Sequence, residues 1–153
     1  MDEIIIRCAK RFNEIPFAHR APNHDGHCRF IHGHNWSVEV VFESAADDAN
    51  GFVVDFGKMD FIKKYLDEFD HALVLAVDDP AAAALQAAEK SLGFKFMKLI
   101  LVESTSSEGL AKHFYEKFSA AISKSQDLSA RGARVNRVRV FEDGKNSAVY
   151  LER

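Results

Sequence analysis

Two histidines one residue apart, His32 and His34, with Gly33 between them, are where this chain shows its chemistry. In an extended segment residues i and i+2 point to the same face, so the pair aims two imidazoles at one point. Gly33 lets another backbone or a ligand approach closely. His19 upstream could supply a third imidazole. Three imidazoles leave one position open for water or substrate, the pattern of catalytic zinc (Zn2+). Cys28 lies four residues before His32 in a stretch rich in His and Arg. Near a divalent cation, Arg29 and imidazoles, its thiol would ionise close to neutrality, which suits a general base or a nucleophile. On spacing alone two other readings stay open. Cys28 is an inert loop cysteine, or it is the fourth ligand of a closed structural site.

Two further groups carry chemistry. Asp70-His71 follows an amphipathic segment, and a carboxylate beside an imidazole can orient and polarise it for proton exchange. The competing reading is a surface histidine at a helix C-terminus, where the macrodipole favours a cation. Glu142 shares the register of Val138 and Val140, so it should face inward, and an inward carboxylate needs a partner. That partner is either the planar donor pair of a guanidine-like ligand edge or one of Arg134, Arg137 and Arg139. No Gly-rich phosphate loop appears, and Ser104 to Ser107 lack the G-x-S-x-G setting of a hydrolase nucleophile.

These groups need a scaffold. The chain has 153 residues, a net charge of -3 and nearly half its residues apolar, which predicts a single domain over residues 1–153 with a real core. An acidic balance gives no basic field for nucleic acid or an anionic membrane. Cys8 and Cys28 do not form a disulfide framework. The acidic N-terminus and short apolar run do not make a secretory signal, so the expected location is cytoplasmic.

Alternation predicts a strand over 3–12, with Ile4, Ile6, Cys8 and Phe12 on one face. Residues 13–33, holding Pro16, Pro22, Gly26 and Gly33, read as a long irregular connection. Residues 34–43 alternate again as an antiparallel partner. Asp55 caps a helix whose stripe is Phe56, Met59, Ile62, Leu66 and Phe69. Asp79-Pro80 and Gly93 bracket a second, alanine-rich helix. Residues 94–102 read as strand. Thr105-Ser106-Ser107-Glu108 reads as a capping box opening a helix striped by Leu110, Phe114, Phe118 and Ile122. A linker at 126–133 precedes strands at 134–142 and 147–152. Helices on one face of an antiparallel sheet make an α+β fold.

PFAHR at 16–20, CRFIHGHNWSVEV at 28–40, NGFVVDFGKMD at 50–60, FDHALVL at 69–75, SSEGLAKHFYE at 106–116 and VRVFED at 138–143 resemble the 6-pyruvoyltetrahydropterin synthase and 6-carboxytetrahydropterin synthase family. They follow its order over nearly the whole chain. The three-residue gap between Cys28 and His32 is similar to the carboxy-forming branch. The resemblance implies His19, His32 and His34 as zinc ligands, Cys28 as catalytic base, Asp70 and His71 as its relay, and Glu142 as the carboxylate that anchors the pterin. It implies one pterin-synthase-like domain in the tunnelling fold, an antiparallel four-stranded sheet with helices on one face. Such subunits form trimers or homohexamers with sites at their interfaces. The implied activity is that of a zinc lyase converting 7,8-dihydroneopterin triphosphate to 6-carboxy-5,6,7,8-tetrahydropterin, releasing acetaldehyde and triphosphate, in the 7-deazaguanine (queuosine) pathway. Alternatives are a pyruvoyl-forming or aldolase-type activity, or a noncatalytic pterin- or metal-binding relative. Ser104 to Ser107 replace the family's usual Asn-Pro-Thr, and Asp143 replaces Thr.

Overall fold

A computed structural model describes residues 5–152. Six strands and four α-helices follow one another as β1 (Ile6–His19), β2 (His32–Ser44), α1 (Asp60–Asp67), β3 (Leu73–Ala76), α2 (Pro80–Leu92), β4 (Leu99–Val102), α3 (Ser107–Ser123), α4 (Gln126–Ala130), β5 (Arg134–Phe141) and β6 (Ser147–Leu151). The strands form one sheet in the order β4-β3-β1-β2-β5-β6. The pairs β1–β2, β2–β5 and β5–β6 are antiparallel, whereas β1–β3 and β3–β4 are parallel. The α+β class therefore stands, but the expected four-stranded antiparallel sheet is corrected to a six-stranded mixed one. The added strands are continuous apolar runs, Leu73–Ala76 and Leu99–Val102. Such runs carry no period-2 signal: β3 is buried along Val74–Ala76, as a covered parallel strand is, and β4 is an apolar edge strand that leaves Leu101 exposed.

The larger correction concerns residues 13–33. β1 does not stop at Phe12; it runs to His19, and only residues 20–31 connect it to β2. A bulge between Phe12 and Ile15 explains how, with Glu14 in the left-handed region at φ 59°. One extra residue reverses which side chains face the core. Cys8 and Phe12 pack inward before it; Ile15, Phe17 and His19 are the buried ones after it. Unbroken alternation would have turned Pro16, Ala18 and Arg20 inward. Pro16 is tolerated beside the bulge, where its carbonyl still accepts the His71 N–H at 2.8 Å.

The other elements differ mainly at their ends. Asp55 caps a single 3-10 turn, and α1 begins only at Asp60. The helix bounded by Asp79, Pro80 and Gly93 forms as expected, with Gly93 left-handed at φ 75°. The strand expected over 94–102 is confined to β4, and the stretch read as linker contains α4. Ile4 lies outside the described residues. The core is built from Trp36, Val38 and Val40 of β2 and Val138 and Val140 of β5, packed against Ile62 and Leu66 of α1 and Leu110, Phe114 and Phe118 of α3. In α2 Ala82 alone is buried.

At the far end of β2, Glu43 is buried yet accepts from Arg7 Nε (2.9 Å), Arg134 Nε (2.8 Å) and Asn136 Nδ2 (2.8 Å). Burial pushes its carboxyl pKa up, but the two guanidiniums together hold it below the usual glutamate range. A depressed folded-state pKa contributes stability above the unfolded value, about 4.3, that is lost as pH falls through the folded value. The urea midpoint is therefore expected to drop on acidification below about pH 4, and less steeply in Glu43→Gln. Equal acid slopes in the two proteins would contradict this.

Candidate metal centre and active-site cavity

The bulge and the β1–β2 register bring three imidazoles together. His19 lies directly opposite His32 across the antiparallel pair, and Phe17 lies opposite His34. Paired residues share a face, so His19, His32 and His34 all project from one side at the open end of the hairpin. Their ring centroids are 4.6, 5.0 and 5.3 Å apart. Glu142, just past β5, joins them: its Oε1 is 3.2 Å from His34 Nε2 and 3.5 Å from His19 Nε2. Donor atoms from these four residues all lie within 4.8 Å of one another.

Backbone carbonyls orient two of the rings. His19 Nδ1 is 2.8 Å from the Thr105 carbonyl, and His32 Nδ1 is 2.7 Å from the Phe30 carbonyl. A carbonyl only accepts, so each Nδ1 carries the proton and each Nε2 presents its lone pair inward. Trp36, fully buried, sets its ring perpendicular to both His19 and His34, with centroids at 4.9 and 5.4 Å. Its indole N–H donates to the Phe17 carbonyl at 3.2 Å.

The fit to a metal rests on the far side of these rings. His19 Nε2 and His34 Nε2 are buried without a hydrogen-bond partner; Glu142 is near but is not directed at either as an acceptor. Two buried imidazole lone pairs left unsatisfied are costly unless something electron-poor sits between them. Burial is the main influence holding the His19 pKa below the usual imidazole value; the Thr105 carbonyl opposes it, and His32 and His34 reinforce it. The neutral form thus favoured is the one that binds metal. An N3 set plus a carboxylate suits a borderline divalent ion.

Cys28 is exposed in a one-turn 3-10 helix, His27–Arg29. It lines a cavity of about 530 Å3 together with His19, Glu142, Thr105, Lys145 and Asn146. Asp143 shapes the rim, since its Oδ1 accepts the N–H groups of Lys145 and Asn146 at 2.7 Å each and so sets the β5–β6 turn. Arg134, offered above as a partner for Glu142, is paired with Glu43 instead. Asp70 and His71 do form a pair, Nδ1 to Oδ1 at 2.7 Å, with His71 in the left-handed region at φ 59°. That pair is exposed and stands outside the cavity lined by Cys28 and His19; Asp70 borders a separate hollow with Asn13, Glu14 and Lys63.

The family model for 6-pyruvoyl tetrahydropterin synthase matches residues 8–153, nearly the full chain. The chain belongs to that family, one of lyase-type enzymes. It is 32% identical over 126 residues to the 6-carboxy-5,6,7,8-tetrahydropterin synthase of Rickettsia conorii, covering 81% of this chain and 88% of the relative. It is 28% identical to the enzyme of the same name from Aquifex aeolicus, covering 82% and 76%. Among solved structures, an uncharacterised protein from Wolinella succinogenes superposes with a TM-score of 0.79 at 23% identity, covering 98% of this chain and 99% of that one. The 6-pyruvoyl tetrahydropterin synthase of Caenorhabditis elegans superposes with a TM-score of 0.64 at 21% identity, over 100% and 99%. At these identities the structural matches speak for the fold. Among the described residues, no helix is long and apolar enough to cross a membrane.

Three contributors to this centre were not visible in the sequence: the Thr105 carbonyl, Trp36 as an edge-to-face wall against His19 and His34, and Gly109. The cap of α3 is Ser106, whose Oγ accepts the Gly109 N–H at 3.0 Å, rather than a box starting at Thr105. Thr105 instead turns inward and donates its hydroxyl to the Arg20 carbonyl at 2.7 Å. Gly109 permits this path, because a Cβ there would collide with the Ser104 side chain and come within 2.8 Å of the Ser104 carbonyl. Gly109→Ala should therefore lower stability by about 1–3 kcal/mol through overpacking, against the ~1 kcal/mol gain expected of Ala in an open helix. It should also weaken metal binding by displacing the carbonyl on His19. A melting temperature at or above the parent's would contradict it.

Proposed function

We propose that this protein is a zinc-dependent lyase that converts 7,8-dihydroneopterin triphosphate to 6-carboxy-5,6,7,8-tetrahydropterin, releasing acetaldehyde and triphosphate and feeding 7-deazaguanine synthesis. The observation that carries this is the convergence of His19, His32 and His34, with two buried Nε2 atoms unsatisfied, beside a cavity that also holds Cys28. The names of the Rickettsia and Aquifex relatives support the carboxy-forming product. Zinc, when bound, supplies a Lewis acid that polarises side-chain oxygens of the substrate.

The chain's own groups divide the remaining work. Cys28, as thiolate, removes a proton from the substrate side chain. His71, oriented by Asp70, returns a proton during rearrangement. Since that pair lies outside the cavity of its own chain, this role needs a neighbouring copy to bring its pair to the site. A trimer or hexamer with interfacial sites meets that requirement. Glu142 accepts the paired N–H donors of the pterin's guanidine-like edge and fixes which carbons face the imidazoles. Its 3.2 Å approach to His34 favours a second reading, in which Glu142 is a fourth metal donor. The test is metal-dependent turnover. Zinc-loaded protein should consume 7,8-dihydroneopterin triphosphate, chelator-stripped protein should not, and added zinc should restore the activity. Undiminished consumption after stripping would refute the proposal.

A further inference from the structure

Arg20 follows the metal-cluster histidine His19, and its guanidinium reaches two places at once. Nε and Nη2 grip the carboxylate of Asp79 at 2.7 and 3.2 Å, and Nη1 donates to the Arg29 carbonyl at 3.3 Å. Asp79 is 3% exposed, and its Oδ1 also caps α2 by accepting the Ala81 N–H at 2.9 Å. The grip is thus a fixed, mostly buried fork rather than a surface ion pair. The segment it holds is the turn bearing Cys28. Within the connection from β1 to β2, Ala21 N–H donates to the Cys28 carbonyl at 2.7 Å, and Arg20 holds the next carbonyl along. The carbonyl after that, of Phe30, orients His32. Three successive carbonyls of the Cys28 turn are therefore tied to Ala21, Arg20 and His32. Of these ties, Arg20 is the one that anchors the turn to the start of α2, through Asp79.

We infer that Arg20, clamped by Asp79, is a positioning residue that sets Cys28 against the imidazole centre. This rests on the proposed role of Cys28 as base. A base displaced by about 1 Å can cost ~100-fold in rate, so rigid anchoring of an exposed turn has catalytic weight. The Cys28 turn itself has no buried side chain to hold it.

Two variants test the clamp. Arg20→Lys keeps the charge but replaces the fork with a single ammonium that cannot hold Asp79 and Arg29 together. Asp79→Asn keeps an acceptor for the α2 cap but loses the carboxylate. Hydrogen exchange followed by peptide mass spectrometry should show amides of residues 21–31 exchanging about tenfold faster or more, the factor a charge-assisted hydrogen bond carries. Exchange in α3 should stay at the parent rate. With 7,8-dihydroneopterin triphosphate, kcat should fall about tenfold or more while KM holds within about twofold, because geometry and not binding is lost. Parent exchange in the loop, uniform acceleration through the whole chain, or a rise in KM with kcat intact would each overturn the inference. Should Asp79→Asn fail to fold, Arg20→Lys decides alone. If the parent protein does not turn over this substrate, the lyase reading fails separately, and the exchange rates still decide whether the clamp holds the turn.

Discussion

His32→Ala protein should fold and yet bind no stoichiometric zinc. His32 lies outside the hydrophobic core, and its ring is held by one backbone carbonyl, so its loss opens no core cavity. What it removes is one of three imidazoles whose Nε2 atoms converge. Loss of a partner that merely orients a ligand typically costs roughly 10- to 100-fold in metal affinity, and loss of the ligand itself should cost more. The remaining His19 and His34, with Glu142, would leave a site too open to compete with buffer at micromolar protein. Elemental analysis of the purified variant after dialysis against zinc measures this. One zinc per chain would remove His32 from the ligand set.

Cys28→Ala makes the opposite split: zinc stays and turnover goes. Cys28 is exposed on its short turn and is absent from the convergent donor group of His19, His32, His34 and Glu142. Its removal should leave stoichiometry and melting temperature unchanged. General acid–base groups contribute about 10²- to 10⁴-fold, so kcat should fall by that factor with KM little altered. Turnover within about tenfold of the parent would assign the proton abstraction elsewhere. Loss of zinc in this variant would favour the closed structural site, in which the thiolate is a ligand.

The parts of this site that were legible in the sequence are the local ones. His32 and His34 share a face because period 2 requires it, and β2 bears that out. The α2 boundaries were legible because Asp79, Pro80 and Gly93 each act through their own backbone geometry. His19 was recognisable by type and not by direction, since its facing depends on one inserted residue near Glu14 that no alternation pattern announces. The strand β3 escaped, and β4 was legible as a strand but not as a member of this sheet, because parallel pairing joins distant segments whose apolar runs resemble core of any kind. The Thr105 carbonyl had no signal at all: a backbone oxygen is the same at every residue, and only the path past Gly109 selects this one. Asp70-His71 was visible as a pair, while its distance from the cavity is a property of tertiary placement.

The most direct measurement is the product mass spectrum after zinc-loaded protein is incubated anaerobically with 7,8-dihydroneopterin triphosphate. The expected products are 6-carboxy-5,6,7,8-tetrahydropterin, acetaldehyde and triphosphate. A pyruvoyl-pterin or an aldolase-type product would contradict the assigned reaction, and intact substrate would make the protein a pterin- or metal-binding relative without this activity.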